Sequence, residues 1–405
     1  MSGADGHGGR CHLPSTVSFL LPSEVHERID INLIEAHGKL LDVTPAELNS
    51  LGAGAITWFL PWREGGFGLQ SSQLPAPGIY LSAWLRDVIQ IADHLKYTSA
   101  HVLLNDVGSL RASFNEAEAK LTDLGVDFSA GLATHILEPS KFQAKKWKVE
   151  IHSRISSSIS SDVNSHQSIC MLEAGGTGAG AWLKFPSKAN HYMTNIEFSI
   201  ASRLRMALPV FNVLANNSGP TCSHRNREGA CGAAMEQYGT HALLCKRGGH
   251  VIYRHDGIRD ILAEELKTEG LGTVLIEQNA PDTPEHLLRP DIVFHDDNGR
   301  VKHLDVEVTT MHQGRVQGEH RAGVLIERGE GVKRRKYAHL ALIPCVLSHL
   351  GRLGKGLQSL IRSVHKQPDL AERSIGIAST YQSIACALQK GNVAILAAAG
   401  SLKGT

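Results

Sequence analysis

The chain has 405 residues, 42% of them hydrophobic, a composition suited to a globular protein of two or three domains of roughly 150 residues each. Lysine and arginine total 41 against 40 aspartate and glutamate, so no global positive charge draws the chain to nucleic acid and local patches must supply any such contact. No apolar run reaches the ~18 residues of a membrane-spanning helix. The first residues, MSGADGHGGRCH, lack the apolar core of a signal peptide, and the expectation is an intracellular protein. Three of the seven cysteines fall between residues 222 and 245, which favours metal binding over disulfides.

Residues 1–50 begin as a Gly- and His-rich tail with the composition of a disordered segment and continue into helix signals in SEVHERIDINLIEAHGKLL. Residues 51–215 read as mostly helical. Apolar positions recur at helical spacing over 79–95 and again over 110–124. Lys141, Lys145, Lys146, Lys148 and Arg154 surround Trp147 on a basic helix, either a phosphate contact or a solvated face. The stretch GGTGAGAWLKFP lacks the Gly-Lys-Ser/Thr ending of a phosphate loop and reads as a turn. Thr194 and Glu197 have capping-box spacing before an amphipathic helix on which Arg203 and Arg205 are expected to be exposed.

Residues 216–250 hold Cys222, Cys231, His241 and Cys245 in a C-x8-C-x9-H-x3-C pattern. Thiolates and imidazole bind Zn2+ tetrahedrally, and four such ligands can fold a loop-rich segment with little core of its own. A zinc knuckle is the expectation, buried free cysteines the alternative, and His224 a substitute ligand.

Residues 251–366 follow the order helix, three strands, helix, strand: a helix over 256–269 closed by Gly270, strands over 273–277, 291–294 and 302–309, a helix over about 319–339, a strand over 341–348 and a helix over 357–365. Asn298-Gly299 supplies the positive φ angles of a tight hairpin between the second and third strands. In LDVEVT, Leu304, Val306 and Val308 alternate with Asp305, Glu307 and Thr309, so two acids share the face opposite the aliphatics. If the hairpin brings Asp291 and Asp305 to one end of the sheet, the pair makes a Mg2+ site whose natural guest is a phosphodiester. The helix after it carries Arg321, Arg328, Lys333, Arg334, Arg335 and Lys336, along which a phosphate backbone could lie. Arg254 and His255 have two readings, phosphate contact and packing. Residues 367–405 read as an amphipathic helix with an Ala-rich tail.

The order of these motifs resembles one family. CG followed by YGTHALLCKRGGHVIYRHDGIRDIL, then RPDIVF and LDVEVT, is similar to the C-terminal region of non-LTR retrotransposon polyproteins with a restriction-like endonuclease, where a zinc knuckle precedes a PD-(D/E)xK nuclease core. LPWREGGFGLQSS resembles the segment after the reverse-transcriptase thumb, and GAGAWLKFP with EFSIASRLRMALP resembles the linker onward, so the likeness covers about residues 50–390. It implies an α/β nuclease core with a mixed sheet, Mg2+ on Asp291 and Asp305, Glu277 as a further acid, and zinc on the four Cys/His ligands. The position two after Asp305, where the family motif has lysine, is Glu307; a displaced lysine on the next helix, Lys333 or Lys336, would take that role. Arg254, Arg328, Arg334 and Arg335 would contact DNA or RNA, and cleavage of a genomic target implies a nuclear protein. No polymerase motif accompanies these features, so the implied function is target-DNA nicking without reverse transcription; the alternative is a non-catalytic nucleic-acid-binding remnant.

Overall fold

A computed structural model of the chain describes residues 23–44, 47, 58–126, 144–162, 165–212, 220–278, 288–310 and 321–403. The expected tail, Lys141 at the start of the basic helix, the side chains of Lys145, Lys146 and Trp147, and residues 311–320 ahead of the second basic helix lie outside what is described. The chain divides into two compact units.

The first unit comprises residues of 1–36 and residues 69–160. Helices α1 (Ser23–Leu40), α2 (Ala76–His94), α3 (Ala100–Asp106), α4 (Gly108–Asp123) and α5 (Ala144–Asp162) supply its secondary structure. The apolar stripes of α2 and α4 meet through Leu81, Leu85, Val88, Phe114 and Leu121, all buried. Ser99 caps α3 by accepting the Val102 N–H at 3.2 Å, which separates this short helix from α2.

The second unit, residues 37–68 and 161–405, carries α6 (Ser165–Ala174), α7 (Asn195–Arg205), the small hairpin β1 (Arg225–Asn226) and β2 (Gly229–Ala230), and α8 (Thr240–Leu244). Then follow α9 (His250–Thr268), β3 (Val274–Ile276), β4 (Ile292–His295), β5 (Val301–Thr309), α10 (Val324–Lys336), β6 (Leu342–Ser348), α11 (Lys355–Val364) and α12 (Leu370–Ala399). The four-stranded sheet has the order β3-β4-β5-β6, with β3/β4 and β4/β5 antiparallel and β5/β6 parallel. A parallel pair needs a long crossover, and α10 lies in it. Ile292, Phe294, Leu304, Val306, Cys345 and Leu347 bury one face of the sheet against Ile258 and Leu262 of α9, Leu357 and Ile361 of α11, and Ile384 and Leu388 of α12. The alternation in LDVEVT therefore does what period 2 requires: the aliphatics enter this core, and Asp305 and Glu307 turn to the other side.

On that side Gly329 of α10 lets the helix come close, since a Cβ there would lie 2.9 Å from Val346 Cγ1 and 3.3 Å from Thr309 Cγ2. The hairpin forms between β4 and β5 as expected, but through a five-residue connection in which, of Asn298 and Gly299, only the glycine takes a positive φ. Gly299 has φ +69°, and Asp296 accepts backbone N–H groups of Asn298 and Arg300, so Asp296 serves the turn.

Two expectations fail. The capping box of α7 is present, with Glu197 N–H donated to Thr194 Oγ1 at 3.2 Å and Thr194 N–H to Glu197 Oε2 at 2.7 Å, but Arg203 and Arg205 behind it are buried. Arg203 donates to the carbonyls of Leu41 and Pro209 and to Glu47; Arg205 donates to the carbonyls of Trp62, Gly66 and Ala179. Irregular segments leave carbonyls without partners, and a guanidinium with five donors satisfies several at once. The helix expected from residue 256 starts six residues earlier, because Gly249 takes a left-handed conformation (φ +74°) that turns the chain into α9.

Candidate functional site

The site is built from the start of β4, the middle of β5 and the helix between β5 and β6. Asp291 immediately precedes β4; its N–H donates to Leu304 O and its carbonyl accepts from Glu277 N–H, both at 2.9 Å, so three sequence-distant residues are stitched to one edge of the sheet. Asp291 Oδ2 accepts the Val306 N–H at 2.6 Å and lies 3.0 Å from His255 Nε2. One residue before Val306 stands Asp305, buried among strands and helix. Lys333, reaching down from α10, forms an ion pair with Asp305 Oδ2 and lies 3.4 Å from Glu307 Oε2. Tyr337, buried at the end of α10, donates its hydroxyl to Asp305 Oδ1 at 2.8 Å.

The charges answer to this geometry. Burial raises the Asp291 carboxyl, but the His255 hydrogen bond and charge, the Val306 N–H and Lys333 more than reverse it, holding the group below its ordinary range. Burial likewise pulls the Lys333 ammonium down, and the carboxylates of Asp305, Glu307 and Asp291 outweigh it, keeping the lysine charged. The His255 imidazole, lowered by burial, is raised on balance by Asp291 and by Asp256, whose Oδ1 is 3.1 Å from Nδ1. The Tyr337 phenol is pushed up by burial and by Asp305, so it stays a donor.

Of the residues singled out from sequence, the fold thus gathers Asp291, Asp305 and Lys333. Lys336 stands one step away: its ammonium is 2.9 Å from the Tyr337 hydroxyl and lies over that ring. Glu277 occupies the same edge but is turned to cations, 2.5 Å from Arg259 Nη1 and paired with Arg289, so its carboxylate serves guanidinium groups and not a metal. The expected nucleic-acid contact of Arg254 is corrected: the side chain is 3% exposed, donates to Asn392 Oδ1 at 2.8 Å, and is packed inside. Arg328, Arg334 and Arg335 are exposed on α10, Arg334 with a 3.0 Å link to Glu330. Sequence reasoning gave Tyr337 no role and His255 two, phosphate contact or packing, neither of them a bond to Asp291. The only available signal was spacing: Tyr337 lies one helical turn beyond Lys333 and so on the same face.

The carboxylates of Asp291 and Asp305 are hard oxygen donors of the kind magnesium takes, and Asp305 Oδ2 is engaged by the Lys333 ammonium, with which an ion there would share it.

A second cluster lies earlier in the same unit. Ligand atoms of Cys222, Cys231, His241 and Cys245 all fall within 4.8 Å of one another, and Cys231 Sγ is 3.4 Å from His241 Nε2. Tetrahedral thiolates 2.3 Å from a zinc ion sit about 3.8 Å apart, so this soft donor set fits Zn2+ in both chemistry and spacing. His224 is not part of it; its Nε2 bonds the Ile395 carbonyl at 2.9 Å.

Fold and clusters together define a mixed α/β protein with a carboxylate–lysine centre on its sheet and a separate Cys3His centre beside it. Over 170 residues the chain is 31% identical to a retrovirus-related Pol polyprotein from the type-1 retrotransposable element R2 of Bradysia coprophila, an alignment that covers 37% of this chain. The chain spans about a fifth of that polyprotein, 19% of its length. No family model matches the sequence.

Proposed function

We propose that this chain is a retroelement-derived, magnesium-dependent endonuclease that nicks DNA. The observation that carries the reading is Lys333 of α10 set against Asp305 and Glu307 of β5, with Asp291, just before β4, alongside. Similarity to an R2 polyprotein supports it, because DNA insertion by such an element requires a strand break. Asp291 and Asp305 would hold Mg2+, which supplies Lewis-acid polarisation of a phosphoryl oxygen and a more acidic bound water.

Each residue then has a task. Tyr337 fixes the Asp305 carboxylate and the Val306 N–H that of Asp291. Lys333 keeps a positive charge where the phosphoryl oxygens gain negative charge as water adds to phosphorus and the ester P–O bond breaks, the proton ending on the departing alkoxide. The exposed Arg328, Arg334 and Arg335 would lie along the backbone and Zn2+ on the Cys3His cluster would fold the segment before α9. A genomic target would place this work in the nucleus.

The test is nicking of supercoiled plasmid with Mg2+ by the parent and by Asp305→Asn, which removes the charge and keeps the shape. Parent nicking reduced at least a hundredfold by the substitution is expected; equal nicking by both, or none by either, removes the catalytic reading. Binding of DNA that persists without nicking would leave a nucleic-acid-binding remnant, a reading favoured by the guanidinium-paired Glu277.

A further inference from the structure

Helix α9 carries a surface that neither the carboxylate centre nor the cysteine cluster explains. Its buried face runs through Arg254, Ile258 and Leu262, and its edge toward the sheet through His255 and Arg259. In its first turn, Ile252 and Tyr253 are 63% and 76% exposed. Single exposed apolar side chains are common, but here two large ones are adjacent at one end of one helix. Both lie one turn from the site: Ile252 is three residues before His255, and Tyr253 three before Asp256, the two groups that bond each other beside Asp291.

The surroundings supply charge. His250 neighbours the Tyr253 ring at 6.3 Å between centroids and stacks on His224. The backbone at Arg225, the start of the small hairpin, passes near His250 across Gly248, where a Cβ would lie 3.4 Å from His250 Cδ2 and 3.6 Å from the Arg225 main-chain nitrogen. Arg225, Arg227 and Lys246 are exposed and have no acidic partner among the described residues, whereas Arg247 pairs with Glu228. The nearest acid on α9, Asp256, is already neutralised by Arg259 at 2.9 Å.

The geometry points to a stacking platform: Tyr253, next to Ile252 and joined through the His250 and His224 rings to a segment whose Arg225, Arg227 and Lys246 are exposed, receives an unpaired nucleobase of a DNA strand whose backbone continues toward Asp291. An aromatic ring with cations beside it is the arrangement that binds single strands without sequence preference, since every base has a π face and every phosphate a charge. A duplex keeps its bases stacked inside and offers this ring nothing but its backbone. The site therefore takes DNA with a locally unpaired base next to the bond that is cut. The inference rests on the nuclease reading for what happens after binding, not for the binding itself.

The experiment uses the full chain, without added magnesium and at one salt concentration, titrated into a fluorescein-labelled oligothymidylate and into a duplex of equal length. Tyr253→Ala is expected to weaken oligothymidylate binding roughly tenfold, the loss of one base–aromatic stack, with duplex binding within about twofold of the parent. Tyr253→Phe, which keeps the ring, should bind as the parent does. Equal losses on both DNAs, or no loss on the single strand, overturn the platform, and the second result assigns the surface to another kind of partner. Because Tyr253 is exposed, unchanged thermal melting of Tyr253→Ala is expected and excludes misfolding as the cause. Asp305→Asn should bind oligothymidylate normally, so loss of nicking and loss of the platform are read separately.

Discussion

A lysine that holds its proton between two carboxylates has a different role from one that merely balances charge, and substitutions separate the two lysines of α10. Lys333→Met is expected to reduce nicking by about a hundred- to a thousandfold, the usual consequence of losing one preorganised charge at a reacting centre. Lys336→Met should have a smaller effect, because its ammonium reaches Asp305 only through the Tyr337 hydroxyl. Comparing initial rates of plasmid nicking ranks them, and an equal loss for both would remove the assignment to Lys333. Glu47 offers a prediction about stability. Burial raises its carboxyl, and hydrogen bonds from Arg203 and Lys403 more than reverse this, bringing it from 4.5 to about 2. A depressed native value adds stability that is complete above the unfolded value and lost as pH falls from about 4.5 toward 2. In urea unfolding at descending pH, Glu47→Gln should therefore lose less stability than the parent across that window. A parallel pH dependence in both proteins would contradict it. These partnerships mark where sequence reading ended at this scale. Asp305 and Lys333 were legible as charges in a strand and a helix, but Arg203 and Arg205 on an amphipathic helix read as solvated because nothing local reveals that carbonyls of residues 41, 62 and 66 converge on them.

Most elements were legible because each repeats one period for long enough. The alternation of LDVEVT, the turn at Gly299 and the capping box at Thr194 are local devices whose physics does not depend on the rest of the chain, and all three appear where expected, the turn with a positive φ at Gly299 but not at Asn298. The start of α9 was missed because a left-handed glycine at 249 begins the helix without a capping side chain. The crossover helix depends on a close approach that only glycine permits. Gly329→Ala would put a methyl 2.9 Å from Val346 Cγ1, and lifting α10 off the sheet should cost about 1–3 kcal/mol and draw Lys333 away from Asp305. Urea unfolding and nicking should fall together for this variant; stability lost with full activity would show that the lysine does not depend on the helix seat.

At the scale of the molecule, the second unit joins the Cys3His cluster and the sheet in one body. Cys222 and Cys245 belong to the same buried cluster as Leu204, Phe211, Val393 and Leu396, so the Cys3His segment shares a core with the C-terminal helix and is not a bead on a string. Mass spectrometric metal analysis should find about one zinc ion per chain, lost in Cys231→Ser, and a strong chelator should lower the melting temperature of the unit. An unchanged melting curve in chelator would mean that the four ligands fold the segment without an ion. The sequence showed the ligand spacing but not this shared core, because the residues that close it come from a segment more than 140 positions later.

That segment is α12, a single helix of 30 residues. Through Ile384 and Leu388 it seals the sheet, through Asn392 it receives Arg254, and through the Ile395 carbonyl it holds His224 beside the cysteines. A frameshift or premature stop between residues 350 and 370 would thus spare every acid, lysine and cysteine of the two centres and still leave them without a common frame. A chain cut there should lose the geometry of both centres even where each motif remains readable.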